Sequence, residues 1–295
     1  MKPIILSLFH HPILQSVAQN LGFDIGEITC REFPDEEVYI RLHDDFHGRD
    51  VIILDSLDRT NNKLLPLLFA AKTAKELGAR RIGLCATYLS YMRQDKQFNP
   101  GEGVTSKYFA EILSGNFDWL ITVDPHLHRR HNLSEIYTIP SNVLHAAHLI
   151  SSWIKTNIEN PVLIGPDSES EQWVDAIAEA AHAPYLILEK IRRGDNDVEI
   201  SLFNSQPFLN HTPVLVDDII STAHTMLETI KQLKAAKMKP SVCIGVHAIF
   251  ANDAYTSLQE AGVERIVTCN SVPHVSNQID ITEIICNGIQ TILLA

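Results

Sequence analysis

"PVLVDDIISTAHTM", Pro213 to Met226, is the stretch on which the reading of this chain turns. An apolar run over 214–216 ends in two adjacent carboxylates, Asp217 and Asp218. Small and hydroxyl-bearing residues follow, and then Met226, Leu227, Ile230 and Leu233 repeat at the spacing of a helix. A buried strand, an acidic end, a short loop and a helix make up the building unit of a parallel sheet.

The unit recurs in both halves of the 295 residues. Apolar, β-branched runs at 4–8, 51–54, 81–86, 119–123, 162–164, 185–188, 241–246 and 265–269 predict further strands. Helical periodicity marks 64–77, 106–113, 173–181 and 226–236, with Gly78 and Gly115 as helix stops. Strands that are apolar throughout belong to sheets covered on both faces. The expectation is therefore α/β, in two tandem domains. The junction is placed within 137–142 at Pro140, giving 1–140 and 141–295. A hairpin over 26–41, with Asp35 and Glu36 in a charged turn, precedes the main strands of the first domain.

Composition narrows the function classes. The chain is 45% hydrophobic and 20% charged, so it can bury a sizeable core without staples. A formal net charge of −12 argues against a general nucleic-acid or membrane-surface binder. Five scattered cysteines without a CxxC, and no run of about 18 apolar residues, lead to the expectation of a cytoplasmic protein with reduced thiols.

Four stretches carry candidate chemistry. Ligands of open parallel sheets bind beyond the carboxyl ends of the strands, and several apolar runs here end in an acid: Asp55, Asp124, Asp167 and Asp217-Asp218. Adjacent carboxylates suit the vicinal hydroxyls of a ribose. Ser221, Thr222, Ala223, His224 and Thr225 then offer backbone N–H groups at a helix start, an anion site. In "YLSYMRQDKQFNPGEGVTSKYF" (88–109), Arg93, Gln94, Asp95 and Lys96 form a cationic, aromatic-flanked cluster of the kind that clamps a nucleotide triphosphate; a solvated loop has the same composition. In "VDPHLHRRH" (123–131), Asp124 and His126 are candidate cation ligands. The missing cysteine partner and HExxH motif leave zinc unspecified, and few ligands suit Mg²⁺. In "LEKIRRGDNDVEI" (188–200), Lys190, Arg192 and Arg193 precede a polar tip, the pattern of a hairpin carrying cations over a site, or of any charged hairpin.

In order and at about the family's spacing, "REFPDEEVYIRL", "YMRQDK", "FNPGEGVTSKYFAEIL", "TVDPHLH", "LEKIRR", "LVDDIIST" and "VTCNSVPH" resemble the ribose-phosphate pyrophosphokinases (phosphoribosyl pyrophosphate synthetases), over nearly the whole chain. The resemblance implies two phosphoribosyltransferase-like, Rossmann-like domains with mainly parallel sheets. It implies a Mg²⁺-dependent cytoplasmic enzyme of nucleotide biosynthesis. That enzyme moves the diphosphoryl group of ATP to the 1-hydroxyl of ribose 5-phosphate, releasing AMP. It further implies that Phe33, Asp35 and Glu37 contact adenine across a homo-oligomer interface, with Arg93 and Gln94, beside Asp95 and Lys96, as the ATP clamp. His126 and Asp167, with Asp124 as a further candidate, fall at metal positions. Lys190 and Arg192 match the catalytic cations, and Asp217, Asp218, Ser221, Thr222, Ala223, His224 and Thr225 the ribose 5-phosphate loop. Two other readings share the pattern: a phosphoribosyltransferase, and a non-catalytic, nucleotide-binding regulatory subunit. The chain departs from the family where glycine is usual, at Glu36, at Glu169 and Ser170, and at His224. With Lys190, Arg192 and both loop aspartates retained, the expectation is a divergent working enzyme.

Overall fold

The computed structural model describes residues 1–127, 129–165, 171–187, 190–192, 198–200 and 206–294. The chain divides into two compact units: 1–145 with 271–273 and 281–295, and 146–270 with 274–280.

The first unit runs β1 (Ile4–Leu6), α1 (Leu14–Leu21), β2 (Asp24–Ile25), β3 (Ile28–Glu32), β4 (Val38–Leu42), β5 (Asp50–Asp55), α2 (Thr60–Glu76), β6 (Arg81–Ala86), α3 (Thr105–Ser114), β7 (Trp119–Val123) and β8 (Ser141–Leu144). The second runs α4 (Ala147–Asn157), β9 (Pro161–Gly165), α5 (Glu171–Ala181), β10 (Tyr185–Ile187), β11 (Lys190–Arg192), β12 (Val198–Ile200), β13 (Thr212–Ile220), α6 (His224–Ala235), β14 (Val242–Ala248), α7 (Ala254–Glu260), β15 (Arg265–Cys269) and β16 (Asn277–Ile279). The final helix, α8 (Thr282–Leu294), returns to the first unit.

Each unit is built on a six-stranded, wholly parallel sheet, in the order β2-β1-β5-β6-β7-β8 and β10-β9-β13-β14-β15-β16. The two orders are the same, so the chain holds one topology twice. The central strands are buried along nearly their whole length, as their unbroken apolar runs require. In the first unit Ile53, Leu84 and Leu120 of the sheet share a core with Leu67 and Ala70 of α2 and with Phe109 and Leu113 of α3. In the second, Ile164, Leu215 and Cys243 meet Met226, Ile230 and Leu233 of α6.

A single cut at 140/141 is not how this chain divides. Pro140 reads as a linker residue, yet its carbonyl accepts the Leu120 N–H at 2.9 Å. The next four residues pair with β7 as the edge of the first sheet. The C-terminal helix buries Ile284, Ile285 and Ile289 in that same unit. Gly288 permits its approach, because a Cβ there would come within 2.9 Å of the Leu144 side chain.

Candidate functional site

The topological switch point of each sheet, where strand order reverses, lies between β1 and β5 in the first unit and between β9 and β13 in the second. Ligands bind there in open α/β sheets. The two units treat this crevice differently.

In the first unit Asp55 closes it. The carboxylate is fully buried and accepts the Ser7 hydroxyl at 2.6 Å and the amides of Leu8 at 2.8 Å and Phe9 at 3.2 Å. Those donors stitch the turn after β1 onto the end of β5, and burial pushes the carboxyl up to about 6 despite them. Of the acidic strand ends singled out in the sequence, Asp55 is a structural one.

In the second unit the equivalent strand, β13, continues through both acids to Ile220, further than the apolar run alone predicts. Asp217 and Asp218 are half-buried, and the Asp218 amide donates to Asp217 Oδ1 at 3.0 Å. The turn that follows is braced by the segment just after β14: the amides of Phe250 and Ala251 donate to the carbonyls of Ile220 (2.8 Å) and Ser221 (3.1 Å). Ala223 caps α6 in the left-handed region, φ 56°, and His224 opens the helix, exposed. The missing glycine therefore weighs on Ala223 and not on His224, whose backbone is helical. Ser221, Thr222, Ala223, His224 and Thr225 thus lie together at a helix N-terminus, the geometry that attracts a phosphate.

The carboxyl ends of β6 and β7 in the first unit carry the cationic segment and Asp124. Arg93 and Lys96 are exposed, with the Lys96 ammonium 5.1 Å from the Phe98 ring centroid. Gln94 and Asp95 brace the segment. Gln94 accepts the Thr105 hydroxyl at 3.0 Å through its side chain and the Ser106 amide at 3.3 Å through its carbonyl. Asp95 pairs with Arg129 at 3.2 Å and takes Arg130 on its carbonyl at 3.0 Å. The "RQDK" cluster therefore divides into two presented cations and two residues that hold the loop to α3 and to the 123–131 stretch.

Asp124 is almost wholly buried, at φ 32°, and its Oδ1 lies 2.9 Å from Nδ1 of His145. The carboxylate's hydrogen bond raises the imidazole's pKa. Sequence reasoning missed His145. Nothing in a 21-residue separation signals the pair; the parallel pairing of Val123 with Leu144 creates it. His126 is half-buried two residues beyond Asp124.

Phe33, Asp35 and Glu37 sit on the antiparallel hairpin β3–β4, close to the limits expected for it. Phe33 N–H donates to the Glu37 carbonyl at 2.8 Å and Glu36 N–H to the Phe33 carbonyl at 2.9 Å. Glu36 takes φ 69°, so this is a three-residue turn with a left-handed last position. β11 and β12 form the second expected hairpin, pairing Lys190 with Ile200 and Arg192 with Val198. Asp167, Ser168, Glu169, Ser170 and Arg193 lie outside the described residues.

Mg²⁺, implied by the family likeness, meets a fitting donor set. Among the described residues no three His, Cys, Asp or Glu side chains gather as a closed cage. In the first unit Asp124 and His126 instead offer one hard and one borderline donor just beyond β7. Mg²⁺ is bound through one or two carboxylates with waters and phosphates, whereas structural zinc wants four protein ligands.

Residues 4–115 match the family model described as the N-terminal domain of ribose phosphate pyrophosphokinase, and residues 132–283 match the phosphoribosyl transferase domain, more than half of the chain. The chain belongs to the ribose-phosphate pyrophosphokinase family. A ribose-phosphate pyrophosphokinase of Saccharolobus solfataricus is 29% identical over 261 residues, spanning 88% of this chain and 89% of that one. The Methanobrevibacter smithii protein of the same name is 27% identical, spanning 92% and 94%. The fold matches that of phosphoribosylpyrophosphate synthetase from Mycobacterium smegmatis with a TM-score of 0.87 at 21% identity, over 100% of this chain and 99% of that one. Two parallel-sheet domains of the phosphoribosyltransferase kind are thus the family's architecture in this member too.

Proposed function

We propose that this protein transfers the β,γ-diphosphoryl group of ATP to the 1-hydroxyl of ribose 5-phosphate, giving phosphoribosyl pyrophosphate and AMP, in the cytoplasm and as a homo-oligomer. The observation that carries the acceptor half is the β13–α6 turn. Two half-buried carboxylates lead into a braced loop at a helix N-terminus, on the strand of the second unit whose counterpart in the first is sealed by Asp55.

Each assigned group has a physical task. Asp217 and Asp218 accept the 2- and 3-hydroxyls of the ribose. The amides and hydroxyls of Ser221, Thr222 and Thr225, with the backbone amides of Ala223 and His224, receive the 5-phosphate. Phe33 offers a ring face to adenine, with Asp35 and Glu37 as acceptors for its amino group. Arg93 and Lys96 pair with the triphosphate, while Gln94 and Asp95 keep that segment in place. O1 of the sugar attacks the β-phosphorus and the bond to the bridging oxygen of AMP breaks; the hydroxyl proton is lost to solvent. Such transfers depend on alignment and charge stabilisation and need no covalent enzyme intermediate. Lys190 and Arg192, at alternate positions of β11, are assigned to the charge of the group in transfer. Asp124, His126 and Asp167 are assigned to hold Mg²⁺, which neutralises phosphate charge when bound.

The test is AMP release from ATP by the purified protein with Mg²⁺, with and without ribose 5-phosphate. AMP that appears only with both substrates supports the reading. Tight ATP binding with no AMP under the same conditions overturns it in favour of a non-catalytic regulatory subunit.

A further inference from the structure

The hairpin β3–β4 carries an arrangement that none of the assigned roles uses. Arg31 and Tyr39 face each other directly across the two strands. The Arg31 guanidinium carbon lies 4.4 Å from the centroid of the Tyr39 ring and 4.7 Å from that of Phe33. The two rings meet edge to face, centroids 6.0 Å apart at 89°. Period-2 alternation explains the cluster, since Phe33, one residue beyond β3, follows Arg31 by two positions and Tyr39 answers from the other strand. The opposite face is spent on the core, where Ile28 and Ile40 pack.

Two features make this more than a surface contact. Among the described residues no carboxylate lies within ion-pair distance of Arg31, although Glu32, Asp35, Glu36 and Glu37 are its chain neighbours. Among the described residues, rings hold this guanidinium and charges do not. Phe33 remains 42% exposed with one face covered by the cation. The contact restricts the ring's χ1 and χ2, so its remaining face is presented in a fixed orientation. A ring held in advance loses less entropy when a base stacks on it.

We infer that Arg31 is a positioning residue for the purine of the nucleotide donor, acting through Phe33, with Tyr39 as the second wall that keeps the guanidinium in place. The inference rests on the assignment of Phe33 to the base. It belongs to this chain's own residues, because Arg31 and Tyr39 act as a cross-strand pair outside the Phe33, Asp35 and Glu37 set.

The experiment compares wild type with Arg31→Ala, Arg31→Lys, Tyr39→Ala, Tyr39→Phe and Phe33→Ala. It reads KM for ATP, kcat, KM for ribose 5-phosphate, and the Kd of a non-hydrolysable ATP analogue by calorimetry. Arg31→Ala is expected to raise KM and Kd for the nucleotide about 3- to 10-fold, the scale of losing cation–π support, with kcat and the KM of ribose 5-phosphate unchanged. Arg31→Lys falls between, since an ammonium lacks the flat face that covers two rings. Tyr39→Phe is wild-type-like, and the Arg31→Ala/Tyr39→Ala pair is less than additive. Unchanged nucleotide Kd in Arg31→Ala, alongside a raised Kd in Phe33→Ala, overturns the inference and leaves the base assignment standing. Unchanged Kd in both removes Phe33 from the base site and the inference with it. A wild type that binds the analogue but releases no AMP defeats the transfer reading, while the Kd comparison still decides the role of Arg31.

Discussion

At Ala223 a single torsion angle locates the cost of divergence. The loop tetrad Thr222-Ala223-His224-Thr225 puts histidine where the family resemblance leads to the expectation of glycine, and sequence alone makes His224 the suspect. The left-handed residue is its neighbour, at φ 56°, and His224 is exposed with helical backbone. A Cβ in the left-handed region costs about 1–2 kcal/mol, which alanine tolerates and a β-branched residue does not. His224→Gly should therefore preserve or improve ribose 5-phosphate affinity at pH 8 and shift unfolding by under about 1 kcal/mol. Ala223→Val should cost about 2 kcal/mol or more in a urea melt. The reverse order would return the defect to His224. Lys190 stands on the assignment of the catalytic cations. Replacing it with alanine should lower kcat by roughly 10²- to 10³-fold, as for other lost charge stabilisers, while barely moving the Kd for ribose 5-phosphate. Near-normal turnover in that variant takes Lys190 out of the mechanism.

Among the elements, the β3–β4 hairpin shows how a missing glycine is accommodated. Pro34 and Asp35 supply a type I turn, and Glu36 must then enter the left-handed region at φ 69° to close the Phe33–Glu37 pair. Glycine at 36 removes a strain of about 1 kcal/mol, so Glu36→Gly should slow amide hydrogen exchange at Phe33 and Glu36, whose N–H groups close the turn. Equal or faster exchange at both amides would falsify the strain argument. The hairpin itself was legible, because turn residues sit between two alternating runs. The strand–helix alternation was legible for the same reason of periodicity. The shortest elements were not: α7 is seven residues long, and β2 and β16 are two and three. The brace on the 93–96 segment was equally hidden. Asp95 looks like a ligand-facing acid in sequence, yet its carboxylate is spent on Arg129.

Over the whole molecule, one topology is used twice with opposite outcomes at the switch point. In the first unit the sealed crevice also buries His11, whose ring approaches the Thr87 hydroxyl at 3.1 Å. Burial lowers its pKa from 6.5 to about 4, while Asp55 is raised from 3.8 to about 6. The signs oppose. Between pH 4 and 6 the folded Asp55 holds more protons than the unfolded, so its contribution weakens as pH rises. The folded His11 holds fewer than the unfolded, so its contribution weakens as pH falls. Asp55→Asn leaves the histidine unopposed, and unfolding free energy should then drop on acidification more steeply than in wild type, by up to about 1.4 kcal/mol per pH unit. Urea melts at pH 4.5 and 6.5 measure the difference in slope; equal slopes would clear these two groups. The sequence by itself determined the α/β class, the hairpins and the order of the chemical motifs, since periodicity and turn chemistry are local. Only the tertiary structure decided that β8 and α8 complete the first unit, that Asp55 is fully buried while Asp217 and Asp218 are half-buried, and that His145 meets Asp124. Those outcomes depend on which strands become neighbours, and strand neighbourhood is fixed by the packing of distant segments that local sequence does not encode.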